Sequence, residues 1–115
     1  MKWLGLVTLL LATGCSTSKP LYSWGDYEGS VYRMTHEMEG GFEVGQEIET
    51  LEAHFKRSEE NGAIVPPGYL LHLGYLHFLT GDVEGARFNF ELEKARFPES
   101  AGFVDDLLGR LEARS

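Results

Sequence analysis

A chain of 115 residues with 18 acidic against 10 basic side chains, net charge −8, has room for one small domain. The charge argues against a nucleic-acid or anionic-lipid surface, since either needs a positive field and no Lys/Arg run supplies one. With 43% apolar residues the chain is composed like a folded domain, one that buries roughly two-thirds of the surface it exposes unfolded.

The first fourteen residues differ from the rest. Lys2 gives a positive start, and "WLGLVTLLLATG" stays apolar or small. A bilayer span needs about 20 apolar residues, so this stretch has the length of a secretory signal's apolar region. Ala12-Thr13-Gly14-Cys15 follows and resembles the lipobox of bacterial lipoproteins. The resemblance implies that residues 1–14 are removed and that Cys15 carries diacylglycerol on its sulfur. The only cysteine is then consumed, which leaves no free thiol, disulfide or sulfur ligand. The covalent lipid on Cys15 is the only non-protein group expected: no cofactor and no metal. Two or more acyl chains give stable membrane attachment where one would not. Losing Lys2 takes the net charge from −8 to −9. In Gram-negative lipoproteins an Asp after the cysteine commonly marks inner-membrane retention, so with Ser16 in that place the resemblance implies the outer membrane, facing the periplasm. Residues 15–20 form the lipidated end and tether. "STSKP" reaches at most about 18 Å, so the domain of residues 21–115 sits close to the headgroups.

That domain reads as five helices. In "WGDYEGSVYRMTHEM", Tyr27, Val31, Met34 and Met38 recur at helical spacing, with Asp26 as candidate N-cap and Gly40-Gly41 as the stop. The second helix, in "FEVGQEIETLEAHFKRSEENG", presents Val44, Ile48, Leu51 and Phe55 and closes at Asn61-Gly62. The loop "AIVPPG" leads to the third, "YLLHLGYLHFLT". Asp82 can cap the fourth, "VEGARFNFELEKARF", which Pro98 terminates. Ser100 can cap the fifth, "AGFVDDLLGRLEAR", whose apolar side is Phe103, Leu107, Leu108 and Leu111.

Pro67 to Ser100 is a unit of 34 residues with Leu73, Gly74, Ala86, Phe90 and Pro98 at fixed places. It resembles a tetratricopeptide repeat. Small Gly74 and Ala86 suit the close approach of two antiparallel helices, Leu73 and Phe90 fill the space beside them, and Gly81-Asp82 makes the turn. Leu70, His77 and Glu93 depart from the pattern, and Glu93 stands where the following helix usually packs. The expected fold is all-α, with tetratricopeptide-like antiparallel hairpins, about two repeats and a capping helix. Such stacks usually need about three units, so a partner or self-association can supply the missing contact. The repeat register faces Leu70, Leu73 and Gly74 to helix four and turns Leu71, Tyr75 and Phe78 toward the concave face. The simpler expectation is that helix one covers them as core. The sharper one is an apolar groove for a helix or peptide.

Recognised chemistry is absent. "HEMEG" lacks the second His of the zinc-protease motif, and His72 and His77 are spaced five apart, too far round a helix to share a metal. The glycines at 40, 41 and 45 follow no strand, and no nucleophile sits in a recognisable elbow. The chain reads as no enzyme. In "LYSWGDYEGSVY", Leu21, Tyr22, Trp24 and Tyr27 cluster beside the tether. They can pack as core, with Tyr22 as the exception that reaches the interfacial region where Trp and Tyr are enriched. Together the lipobox, "LYxWGxY" and "LGYLHFLTGDVEGARFNFELEKARFPES" resemble a family of short Gram-negative lipoproteins known as a domain of unknown function. Its members are commonly encoded beside a lipoprotein similar to the curli secretion channel and a third small lipoprotein.

Three functions compete. The first is an outer-membrane lipoprotein that scaffolds an envelope complex with other lipoproteins or a secretion-channel-like protein. The second is a periplasmic binding module for a peptide or lipid-like ligand, using Leu71, Tyr75 and Phe78. The third, an envelope hydrolase, needs a polar cleft that the sequence does not announce.

Overall fold

The computed structural model describes residues 21–37 and 40–114. The signal, Cys15, the tether and Met38 therefore lie outside the described residues. Within them the chain is all-α: α1 Tyr27–His36, α2 Val44–Glu60, α3 Tyr69–Leu79, α4 Val83–Arg96 and α5 Ala101–Glu112, with a 3-10 turn at Pro98–Ser100. No helix among the described residues is long and apolar enough to cross a membrane.

Local chemistry fixes some of these boundaries as expected and others by different means. Asp82 caps α4 by accepting the Gly85 N–H at 2.9 Å. Pro98 ends α4 by opening the 3-10 turn. Asp26 stands before α1 without capping it, because its carboxylate is taken by Arg33. Ser100 does not cap α5 either: its hydroxyl donates back to the Phe97 carbonyl at 2.6 Å.

Two apolar clusters hold the helices together. In the first, Leu51 of α2, Val65 of the following loop, and Tyr69, Leu70, Leu73 and Leu76 of α3 are buried. Val44, Ile48 and Phe55 of α2 and Tyr27 and Met34 of α1 pack around them. Tyr69 donates its hydroxyl to the Leu51 carbonyl at 2.7 Å, so its polar end is satisfied inside the core. The second cluster joins Ala86 and Phe90 of α4 to Val104 and Leu111 of α5, with Leu71, Phe78, Leu107 and Leu108 beside them.

α3 and α4 form the tightest pair, an antiparallel hairpin through Gly81-Asp82. Their crossing depends on Gly74: a Cβ there would lie 2.7 Å from the Phe90 ring and 3.1 Å from the Ala86 carbonyl. At the far end of the hairpin, Glu93 of α4 reaches the start of α3 and accepts the Gly68 N–H at 2.7 Å. Glu93, expected to pack against the following helix, instead caps the preceding one. Its side chain can do so because Gly68 turns with φ of +95° and aims its N–H outward from the helix start.

α1 is fastened to α2 by charge. Arg33 donates to both oxygens of Glu47, at 2.6 and 2.9 Å, in a bidentate pair. α5 departs from expectation on its apolar side. Val104 is fully buried, whereas Phe103 is 61% exposed.

Candidate interaction groove

α3 is apolar on nearly every side, so more than one neighbour is needed to cover it. Leu70, Leu73 and Leu76 go into the first cluster. Leu71, Tyr75 and Phe78 fall on a second stripe at i, i+4 and i+7, the spacing of side chains stacked along one helical face. The expectation that helix one covers this stripe is overturned. α1 packs through Tyr27 and Met34 into the first cluster, and Leu71 and Phe78 instead meet the side chains of α4 and α5.

α5 covers the stripe incompletely. Tyr75 stays 42% exposed, with its ring against Phe78 at 6.4 Å between centroids and 24° between planes. Beside them lies a hollow of about 430 Å³ floored by Phe90, Leu107 and Leu111. Arg110 and Arg114 stand at its rim. The Arg114 guanidinium lies 5.7 Å from the centre of the Phe78 ring, a cation–π distance. Arg110 pairs with Asp106 at 3.0 Å, one turn earlier on the same surface. The groove thus offers an apolar floor and a cationic edge on a chain of charge −8. Of the expected residues, Tyr75 and Phe78 line it directly, and Leu71 lies in the apolar cluster behind it. The sequence reading missed Arg110 and Arg114. Arg110 and Arg114 are four residues apart, as are Leu107 and Leu111, and each arginine follows a leucine by three, so the two pairs lie on adjoining stripes of α5, which is a signal it could have used.

A second hollow, of about 500 Å³, lies between α2, α3 and α4, with Phe55, Leu73 and Phe88 on its walls. His77 closes one side between Glu52, at 2.8 Å, and Asp82, at 2.9 Å. The Gly85 N–H, and secondarily His77, hold the Asp82 carboxyl below its usual range. His72 is buried and shares a hydrogen bond with Ser30 at 2.8 Å. Burial pushes its imidazole down despite nearby Glu47. Among the described residues no three His, Cys, Asp or Glu side chains are grouped to hold a metal.

Tyr22 is half-buried, edge-on to Trp24 and to Phe97 of α4, each at 6.4 Å. Trp24 in turn lies 6.1 Å from Tyr27, and Tyr27 lies 5.5 Å from Tyr69. The aromatic motif is therefore a ladder that leads from the start of the domain into its first core. Its more exposed members are Leu21, at 75%, and Trp24, at 41%.

With this arrangement established, comparison with known proteins gives one family. Residues 21–107 match the family described as Domain of unknown function (DUF4810), and the chain belongs to it. No curated protein and no solved structure matches the chain.

Proposed function

We propose that this DUF4810 protein is a lipid-anchored interaction component of a cell-envelope complex, held by acyl chains on Cys15 to the periplasmic side of the outer membrane. Its helices form a tetratricopeptide-like stack, and the surface that engages a partner is the groove between α3 and α5. The observation that carries the reading is Tyr75. A large aromatic side chain lies half uncovered on an otherwise packed helix, above an apolar floor edged by Arg110 and Arg114.

The occupant that fits is a helix or extended segment of another envelope lipoprotein, with one or two apolar side chains beside an acidic one. Two arginines on so acidic a chain favour an anionic group at that edge. A groove of about 430 Å³ holds side chains rather than a whole element, which is the helix-in-groove mode of recognition.

A photo-crosslinking residue at position 75, introduced in cells that make the native protein, tests the proposal. The expected product is a discrete adduct with one envelope protein, lost on Arg110→Glu with Arg114→Glu. A crosslink to lipid alone would favour a binding module for lipid-like ligands. No adduct, from a protein that is folded and present at normal levels, would reject the groove.

A further inference from the structure

Besides the groove, the described residues hold one other apolar patch whose occupant the geometry identifies. Leu21 is 75% exposed, Trp24 41% and Ile64 49%. They are close in space although Ile64 is some forty positions along, because the Ser23 N–H donates to the Ile64 carbonyl at 2.6 Å. The loop before α1 and the loop between α2 and α3 thus lie side by side, and each carries exposed apolar side chains.

The first of these loops is rigidly mounted. The Ser23 hydroxyl meets Ser58 at 2.8 Å and the His54 ring at 3.0 Å, both on α2. Gly25 lies so close to the same imidazole that a Cβ there would be 2.6 Å from it. Behind Trp24 the aromatic ladder runs through Tyr27 to buried Tyr69. An exposed indole held by this many contacts is presented by the fold. Asp26, two residues from Trp24, is turned to Arg33.

Position decides the occupant. Leu21 is six residues from Cys15, and six residues span at most about 22 Å. Whatever surface holds Cys15 therefore lies within that reach of the patch. We infer that Leu21, Trp24 and Ile64 form a membrane-contact tip that enters the headgroup region of a zwitterionic bilayer and fixes the domain's orientation on it. Tryptophan is enriched at that depth, and leucine and isoleucine add apolar area. The chain's negative charge disfavours a strongly anionic surface. A tip planted in lipid leaves α5, at the other end of the chain, to meet a protein partner.

This inference rests on attachment at Cys15, so the test separates the two. The full chain with Trp3→Phe keeps Trp24 as its one tryptophan. It is purified from cells, the mass of residue 15 is measured, and the protein is reconstituted into phosphatidylcholine vesicles with brominated acyl chains. If the thiol is found free, the anchor reading fails, and the same protein is coupled through Cys15 to a maleimide lipid. In either arm Trp24 emission should shift to the blue and lose more than half its intensity to bromine. Leu21→Ser with Ile64→Ser should remove at least half of that quenching while the helical circular dichroism stays unchanged. Tethered protein whose Trp24 remains unquenched by bromine and open to iodide would overturn the tip, whatever the state of the anchor.

Discussion

Glu93 and Glu47 are both buried, yet their carboxyls are driven in opposite directions. Arg33 holds Glu47 below the ordinary carboxylate value of 4.5, more strongly than burial raises it. For Glu93 burial dominates and raises the carboxyl, against the pull of the Gly68 and Leu70 N–H groups. Its second oxygen is buried and finds no hydrogen-bond partner among the described residues. The signs follow by linkage. The Glu47 contribution is complete above pH 4.5 and is lost as pH falls through its lowered folded value. The Glu93 contribution is complete below pH 4.5 and is lost as pH rises through its raised one. Glu93→Gln keeps an acceptor for Gly68 and removes the charge. Urea unfolding at pH 4 and pH 7 should therefore show the variant gaining on the parent as pH rises. A gap that stays constant or closes would mean that the N–H groups, not burial, control the carboxyl. Glu93→Ala removes the acceptor altogether and should cost about 2 kcal/mol by leaving buried donors unpaired. Arg33→Ala strands Glu47 and should cost about 2 kcal/mol, the pair being only partly buried.

Among the helices, the α3–α4 crossing has the least tolerance. Gly74→Ala would drive a methyl into the Phe90 ring, and overpacking of this kind costs about 2 kcal/mol, read as a lowered urea midpoint. Adding Phe90→Leu should recover part of the loss, because it removes the atoms that clash. This crossing was legible in the sequence, since two small residues at repeat spacing have few other uses. All five helices were legible for a similar reason: period and breakers are local properties of the chain. What the sequence could not fix was rotation about the helix axis. α5 carries Phe103, Val104, Leu107, Leu108 and Leu111, enough for two overlapping apolar stripes. Contact with Ala86 and Phe90 selects the stripe through Val104 and exposes Phe103. The cover over Leu71 was misread likewise, because α1 and α5 both offered apolar faces and only packing chose between them. Asp26 failed as a cap because Arg33, two turns on along the same face, competes for its carboxylate.

Over the whole molecule, groove and core can be separated by what each contributes. Arg110 is exposed, so Arg110→Ala should change stability by less than about 0.5 kcal/mol, and Tyr75→Ser, which gives up the ring contact with Phe78, should cost about 1 kcal/mol. Leu111, 5% exposed in the floor of the same groove, closes the second cluster, and Leu111→Ala should cost about 3 kcal/mol. That contrast is what the proposed partner surface requires: apolar side chains that contribute little to the fold. If the proposed partner binds here, the cationic edge makes its capture sensitive to salt. Charges at a solvent-exposed rim are screened within about 10 Å at 0.1 M salt and within about 3 Å at 1 M. Capture of the crosslinked partner by purified protein should therefore weaken severalfold between those concentrations. Arg110→Ala with Arg114→Ala should start weak and lose its salt dependence, whereas Tyr75→Ser should start weak and keep it. If salt strengthens capture in the parent, the arginines are bystanders and apolar contact alone holds the partner.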